Sequence, residues 1–587
     1  MERNKMSLEK MQCTLGVFDI PIIQLQPPFV VDLLDSNIAL FGLAMSGKTT
    51  FVKMLVNVLH KQYDESQEQV FILDFGGALS EYKELPLVSA YFDNSNEEYV
   101  KRVFKIMDNI LKDNIRDLNG KNFRDSTLQP IHTTFIIDNL NAFMDEPRYT
   151  AYHEKLAKLC RDGLSKGITI IVTAVDTKGL SSYLGNFKQK IAYDMPADKY
   201  SEIFTGKVGM IGNNPGHGFA NVTVKPKGVT GTFRMNLPYE VQTTLPYKPE
   251  GIDSNANTED SFKEKLKEKF GYADNAYVRC VKKYQTFPKE LTREEYEKLK
   301  QSTKDNANEL TSPVSVGLDY VDFYPVTVDL EQSHVIAIYG KKEFGKTNLL
   351  NLLIEGFVRQ KQGAQIVFFD DGRNQLESIY KSYKDKTDCT LINKFEEVEL
   401  ELNDGTKNIK KLSPLQQFYV YLNENHVTLD KRFLGAYYGT SKEMARDQPT
   451  MKGYLQVPDC KSRKDQFTIF VIQSKLVYLS LLENKRFIET ILPQLVAEAK
   501  ERGYLFIFSD VQKISDGEQN TFFNNVVSTT FLLDNIAEFA GDRGQKTVFG
   551  NMDIKSLKED YARCEKGDGY FFDIEADSLL KLKFIKF

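Results

Sequence analysis

Two short stretches of this chain have the residue types and spacing to hold a phosphate chain. Gly42-Leu-Ala-Met-Ser46-Gly47-Lys48-Thr49-Thr50 and Gly340-Lys-Lys-Glu-Phe344-Gly345-Lys346-Thr347-Asn348 both follow the pattern GxxxxGK[ST]. In that pattern a strand enters, the glycines let the backbone turn sharply, and a helix leaves. A nest of N–H groups then aims at phosphate oxygens, helped by the partial positive charge of the helix end. Lys48 and Lys346 are placed to reach the β- and γ-phosphates, and the hydroxyls of Thr49 and Thr347 to ligate Mg²⁺. The expected ligand at each loop is ATP with magnesium. The expected cofactor-binding set is Gly42, Ser46, Gly47, Lys48, Thr49 and Thr50 in the first loop. In the second it is Gly340, Phe344, Gly345, Lys346, Thr347 and Asn348.

Magnesium needs a carboxylate at the end of another strand, and hydrolysis usually needs a following glutamate to polarise water. Phe135-Ile-Ile-Asp138 supplies the first, so the expected metal residues are Thr49, Asp138 and Thr347. The next residue is Asn139, which cannot take a proton from water. Asp138 and Asn139 are therefore the expected catalytic pair of a weak or absent hydrolysis. In the second half the matching residue is Gln473, followed by Ser474. Asp510 ends another strand at the position of Ala174 and is not the matching acid. Asp74 and Asp370 end earlier strands, where each either caps its strand or faces the phosphates.

The elements that position these loops come in duplicate. Thr14-Leu-Gly16-Val-Phe-Asp19 precedes the first apolar strand and loop, and Ser315-Val-Gly317-Leu-Asp319 precedes the second, the loops beginning 298 residues apart. The parallel continues through Val70–Gly76 with Val367–Gly372, Thr134–Asp138 with Ile469–Gln473, and Lys166–Thr173 with Arg502–Ser509. Gly216-His-Gly218 and Gly567-Asp-Gly569 close it. By Arg502 the offset is 336, so the second copy carries about 38 more residues, between Asp371 and Gln473. Within them Glu397–Leu402 and the lysines after Asn403-Asp-Gly405 read as a hairpin. Short β-branched runs alternating with longer helical stretches predict an α/β fold. The expectation is two tandem P-loop domains with mostly parallel sheets. The first is expected over 11–303 with a tail and charged surface helices, and the second over 304–587 with an insertion near 390–465.

Bulk properties exclude several classes. The net charge of −5 provides no global field for nucleic acid or an anionic membrane. The six cysteines and six histidines are scattered without metal-ligand spacing. No run approaches 18 apolar residues, so the chain is not expected to cross a membrane by itself.

The order of phosphate loop, FIID, then KGITIIVTA with a glycine turn resembles the FtsK/SpoIIIE class of RecA-like hexameric motors. Within that class, the LGVFDIP and VGLDY doublet ahead of the two loops resembles the C-terminal ATPase pair of type VII secretion motors, the EssC/EccC/YukB family. Phe287-Pro-Lys-Glu-Leu is similar to its LPE-type linker. The resemblance covers roughly residues 12–587. It implies a cytoplasmic segment at the inner face of the cell membrane, attached to a membrane-anchored remainder and other secretion components. It further implies secreted WXG100-type substrates, a homo-hexamer, and an arginine finger whose position is held by Lys190, with Arg161 a looser alternative. Two other readings stay open: an FtsK-like DNA translocase, disfavoured by charge, and a non-hydrolysing, nucleotide-stabilised substrate-recognition module. Nucleic acid is not an expected partner.

Overall fold

The computed structural model describes residues 8–21, 24–95, 97–180, 182–205, 208–209, 214–221, 223–225, 237–248, 258–273, 276–300, 314–320, 322–329, 333–361, 363–370, 374–393, 396–401, 407–412, 467–473, 493, 497, 503–511, 527–534, 564–573 and 578–587. The chain divides into two compact units, Met1–Thr286 and Phe287–Phe587. No helix among the described residues is long and apolar enough to cross a membrane.

In the first unit the strands are β1 (Gln12–Asp19), β2 (Pro28–Asp32), β3 (Ile38–Phe41), β4 (Glu68–Asp74), β5 (Val88–Asp93), β6 (His132–Asp138), β7 (Ile168–Ala174), β8 (Gln189–Ala192), β9 (His217–Asn221) and β10 (Pro238–Thr243). The helices are α1 (Lys48–Gln62), α2 (Glu97–Asp117), α3 (Leu140–Asp145), α4 (Thr150–Asp162), α5 (Tyr200–Ile203) and α6 (Glu259–Phe270). One sheet runs β2-β1-β10-β9-β8-β3-β7-β6-β4-β5. From β8 to β5 all neighbours are parallel, whereas β9, β10, β1 and β2 extend the sheet antiparallel. The inner strands β3, β6 and β7 are buried at every residue, which is why they read as unbroken apolar runs. Alternation sorts the side chains of β4 and β6 into two cores: Val70, Ile72 and Ile136 join α1 on one face. Phe71, Leu73 and Ile137 join α2 and α4 on the other.

The charged segment after Tyr239 is more than surface. Thr258 caps α6, its hydroxyl accepting from Ser261 N at 3.2 Å, and Phe262, Leu266 and Phe270 recur every four residues on one buried face. Lys269 Nζ donates to His60 O at 2.9 Å and Lys61 O at 3.2 Å, satisfying carbonyls at the end of α1. Beyond it, Val281 N and Tyr284 N donate to Pro86 O and Ser89 O, at 3.1 and 2.7 Å. The tail thereby covers the outer side of β5, an otherwise open sheet edge.

His60, fully buried under this tail, is held neutral. Its Nδ1 donates to Val56 O at 2.8 Å and its Nε2 accepts from Leu87 N at 3.1 Å. Burial, reinforced by Lys283 and Lys269, pushes its pKa from 6.5 down to about 3. The unfolded chain therefore gains a proton below pH 6.5 that the folded chain refuses. This stabilising contribution is complete above that pH and is lost toward pH 3, by about 1.4 kcal/mol per pH unit. Urea unfolding of wild type and His60→Gln between pH 7 and about pH 4.5 is expected to give a slope shallower by one proton in the variant. Equal slopes would refute the assignment.

The second unit repeats the plan. Its strands are β11 (Val314–Asp319), β12 (Pro325–Val328), β13 (Val335–Gly340), β14 (Gln365–Asp370), β15 (Asp388–Ile392), β16 (Glu396–Glu401), β17 (Lys407–Leu412), β18 (Thr468–Gln473), β19 (Tyr504–Val511), β20 (Thr529–Leu533), β21 (Asp568–Asp573) and β22 (Ser578–Phe584). The helices among the described residues include α7 (Arg293–Leu299), α8 (Lys346–Gln360) and α9 (Glu377–Tyr383). The sheet order β12-β11-β22-β21-β20-β13-β19-β18-β14-β15 matches the first unit strand for strand.

The compact unit starts at Phe287, earlier than the boundary expected after residue 303. Phe287, Leu291 and Tyr296 pack with Leu318, Phe323, Leu352 and Ile585, and Thr292 and Glu295 form a capping box on α7. The LPE-like stretch is thus part of this unit's packing. The expected hairpin is present as β16 and β17, whose register sets Glu397 opposite Lys411 and Glu401 opposite Lys407. The rest of the insertion, 413–466, lies outside the described residues, as does Ser474.

Candidate functional site

In the first unit β3 ends at Phe41 in the middle of the sheet and the chain re-enters as α1 at Lys48. This places the loop at the carboxyl end of the parallel strands, where open α/β sheets bind ligands. Gly47 has φ +103°, and a Cβ there would lie 2.6 Å from Gly216 N, so only glycine fits. Gly216 N donates to Ser46 O at 2.8 Å, which brings the turn before β9 against the loop. Lys48 Nζ donates to Gly42 O at 2.6 Å and Leu43 O at 2.7 Å, so the ammonium lies across the mouth of its own loop. Burial lowers its pKa, and Asp138 opposes that shift. The Ser46 hydroxyl is buried without a partner, as expected of a group whose acceptor arrives with a ligand.

Asp138 ends β6 and is 5% exposed. Its Oδ1 accepts from Thr173 Oγ1 at 2.6 Å, and Thr173 Oγ1 accepts from Asn139 N at 2.8 Å. Asp74 lies directly opposite on β4. Burial raises the pKa of Asp138, and among the further causes the charge of Asp74 adds to the shift. A cation held between phosphates and this pair would offset that cost. Among the described residues no cluster of three His, Cys, Asp or Glu forms a cage. The donor set of Thr49 hydroxyl and carboxylate oxygens suits Mg²⁺ shared with phosphates. Thr49 and Asp138 would hold it, and the ion would neutralise charge on the γ-phosphate.

Asp74 is a cap. Its Oδ1 accepts from Gly76 N and Gly77 N at 2.8 and 2.7 Å, and its Oδ2 from Leu79 N at 2.9 Å and Tyr91 OH at 3.0 Å. Asn139 adopts φ 63°, the left-handed region that asparagine tolerates better than glutamate. Lys190, the position implied for an arginine finger, is half-buried within β8 opposite Ala39, and burial lowers its pKa. Arg161 is exposed and bonds both oxygens of Asp162 at 2.8 and 3.0 Å.

The second loop has the same frame. Gly340 and Gly345 take φ +158° and +109°, and Lys346 Nζ donates to Gly340 O at 2.8 Å and Lys341 O at 3.2 Å. Two side chains of this loop are engaged within the unit. Asn348 Nδ2 donates to Ile585 O and its Oδ1 accepts from Phe587 N, both at 2.7 Å. The Asn348 side chain thereby fastens the start of α8 to the last residues of the chain. Phe344 packs on the core where the first loop has Ser46, so only its backbone remains for phosphate. Gln473 stands at the place of Asp138, 4% exposed, its Nε2 donating to Gln375 Oε1 at 3.0 Å. Its Oε1 and the Ser509 hydroxyl, opposite it in register where Thr173 stands in the first unit, are both buried without partners. Asp510 falls in a bulge of β19, where Ile338 pairs with Ser509 and Tyr339 with Val511.

Thr173 and Gly216 were not among the expected site residues. The strand alignment that paired Thr173 with Ser509 held the signal for the first, whereas the second needed the fold.

The fold and the loops together define a tandem RecA-like P-loop protein. No family model matches the chain. It is 23% identical over 417 residues to the type VII secretion system protein EssC of Staphylococcus aureus strain MRSA252, and 24% identical over 426 residues to the ESX secretion system protein EccC of Geobacillus thermodenitrificans. These alignments cover 69% and 70% of this chain but 27% of each relative, so the chain spans about a quarter of their length. Among solved structures it is similar to ATPases 2 and 3 of Geobacillus thermodenitrificans EssC, with TM-score 0.62, 18% identity and coverage of 100% and 98% of the two chains. It is also similar to ATPases 2 and 3 of Thermomonospora curvata EccC in complex with a signal sequence peptide, with TM-score 0.56, 14% identity and coverage of 99% and 93%.

Proposed function

We propose that the chain is the ATP-binding tandem segment of a type VII protein secretion motor, acting at the inner face of the cell membrane with the membrane-anchored remainder of that motor. The observation that carries this reading is the pair of phosphate loops on identically ordered sheets, in a chain similar along its whole length to ATPases 2 and 3. The first loop, with Thr49, Asp138 and Lys48, is suited to ATP with Mg²⁺. The second holds nucleotide chiefly as a structural ligand, since Gln473 has replaced the metal-holding acid. The signal peptide bound by the Thermomonospora EccC supports secreted WXG100-type proteins as the cargo. The segment then works as a slow or non-hydrolysing recognition and regulatory module within a hexamer.

Nucleotide released by denaturing the purified protein tests the core of this reading. The expected content is two per chain in wild type and none in the Lys48→Ala, Lys346→Ala double variant. Equal content in both proteins would exclude it.

A further inference from the structure

The two loops differ in where their positive charge comes from. In the first, Gly42–Thr50 carries one lysine, and the carboxylates Asp74 and Asp138 lie on adjacent strand ends. Polyphosphate approaching two carboxylates requires a cation between them. In the second, Gly340–Asn348 carries Lys341, Lys342 and Lys346, and its one acid, Glu343, lies 3.7 Å from Lys566. Of the two acids only Asp370 remains, and it accepts from Leu376 N at 3.0 Å. The residues present therefore do not fit a magnesium water shell, which needs an anionic acceptor where Gln473 stands.

The buried amide of Gln473 and the exposed Gln375 that it bonds offer something else. Exchanging the oxygen and nitrogen of both Gln375 and Gln473 preserves their mutual bond. The exchange turns Gln473 Nε2 to the position that now holds an unpartnered oxygen, beside the unpartnered Ser509 hydroxyl. The pair then presents hydrogen-bond donors where the first unit presents acceptors. Donors suit phosphate oxygens and repel a hydrated cation.

We propose that the second loop binds its nucleoside triphosphate without a divalent cation. Lys341 and Lys342 supply the neutralisation, and Gln473 and Ser509 act as the residues that make the site metal-independent. This rests on the reading of that loop as a nucleotide site. The loop lysines of a metal-free site take over what magnesium does in the first unit, so loss of affinity on chelation belongs to the first unit alone.

ATP binding by calorimetry, in magnesium and in EDTA, tests this on the full chain. Lys48→Ala leaves the second site and is expected to keep its Kd within about threefold between the two buffers, a difference under 0.7 kcal/mol. Lys346→Ala leaves the first site and is expected to weaken by about tenfold or more in EDTA. Adding Gln473→Asp to Lys48→Ala should create magnesium dependence. Adding Lys341→Ala and Lys342→Ala to it should weaken binding in EDTA by about tenfold. A loss of tenfold or more in EDTA for Lys48→Ala itself, or indifference to removing the two lysines, overturns the proposal. No binding by Lys48→Ala in either buffer would take down the underlying nucleotide-site reading, and the proposal with it. Should Lys48→Ala fail to fold, wild type against Lys346→Ala gives the same contrast by difference.

Discussion

Lys48→Ala is expected to raise the Kd of the first unit for ATP about 100-fold, and Lys346→Ala to do the same in the second unit, each leaving the other site unchanged. A charge-assisted hydrogen bond contributes about 1.5–3 kcal/mol, and the upper end applies to an ammonium shared between phosphates. The structure adds a second loss. Lys48 Nζ and Lys346 Nζ each bond two carbonyls of their own loop, so alanine also unties the loop that presents the N–H nest. In thermal unfolding, saturating ATP should stabilise each single variant less than wild type, since a site that no longer binds contributes nothing to the folded state. Calorimetry on the two single variants checks this directly. An unchanged Kd at both sites in one variant would mean that the lysine it removes does not touch nucleotide.

How much of this was legible in the sequence depended on the kind of signal. The loops, their strands and the doubling were readable because parallel strands buried on both faces leave unbroken apolar runs, as in Phe135–Ile137 and Ile469–Ile472. The insertion hairpin was readable from its alternation and the Asn403-Asp-Gly405 sequence between its strands. What escaped was the long-range pairing of charged helices. Phe262, Leu266 and Phe270 are separated by lysines and glutamates, so composition suggested a solvated helix, while the spacing of four held the buried face. The unit boundary escaped for the same reason. Leu291 and Tyr296 find their partners Leu318 and Ile585 far along the chain, and no local pattern announces that.

At the sites, residue identity was legible and orientation was not. Asp74 and Asp138 both end buried strands with the same chemistry. Only the fold shows that Asp74 accepts from three backbone N–H groups, whereas Asp138 accepts from Thr173 through one oxygen and turns the other toward Gly76. Asn348 reads as the residue after the metal-binding threonine, yet its amide pairs with Ile585 and Phe587 like one more rung of backbone. A loop motif specifies which backbone atoms face phosphate. It does not specify which side chains the rest of the unit borrows.

Wild-type turnover is expected to be at least about 100-fold below the ~10 s⁻¹ of ordinary enzymes, with an acid at position 139 restoring part of it. Hydrolysis needs an oriented water that loses its proton and a γ-phosphate whose charge is neutralised in the transition state. Asn139 can hold water but cannot accept its proton, and a general base is worth about 10²- to 10⁴-fold. The backbone sets a limit on the repair. Asn139 is left-handed at φ 63°, and its N–H donates to Thr173 Oγ1, which donates in turn to Asp138. Glutamate there costs about 1–2 kcal/mol of stability, while aspartate, which visits that region more readily, costs less. Asn139→Glu should therefore raise turnover about tenfold or more with a lower Tm, and Asn139→Asp should raise it less with Tm nearly kept. Neither change should act once Lys48→Ala has emptied the first site, which separates this effect from any turnover in the second. Steady-state phosphate release with parallel thermal unfolding makes the comparison. Wild-type turnover near 10 s⁻¹, or no gain from either acid while ATP still binds, would show that the missing carboxylate is not what holds this site back.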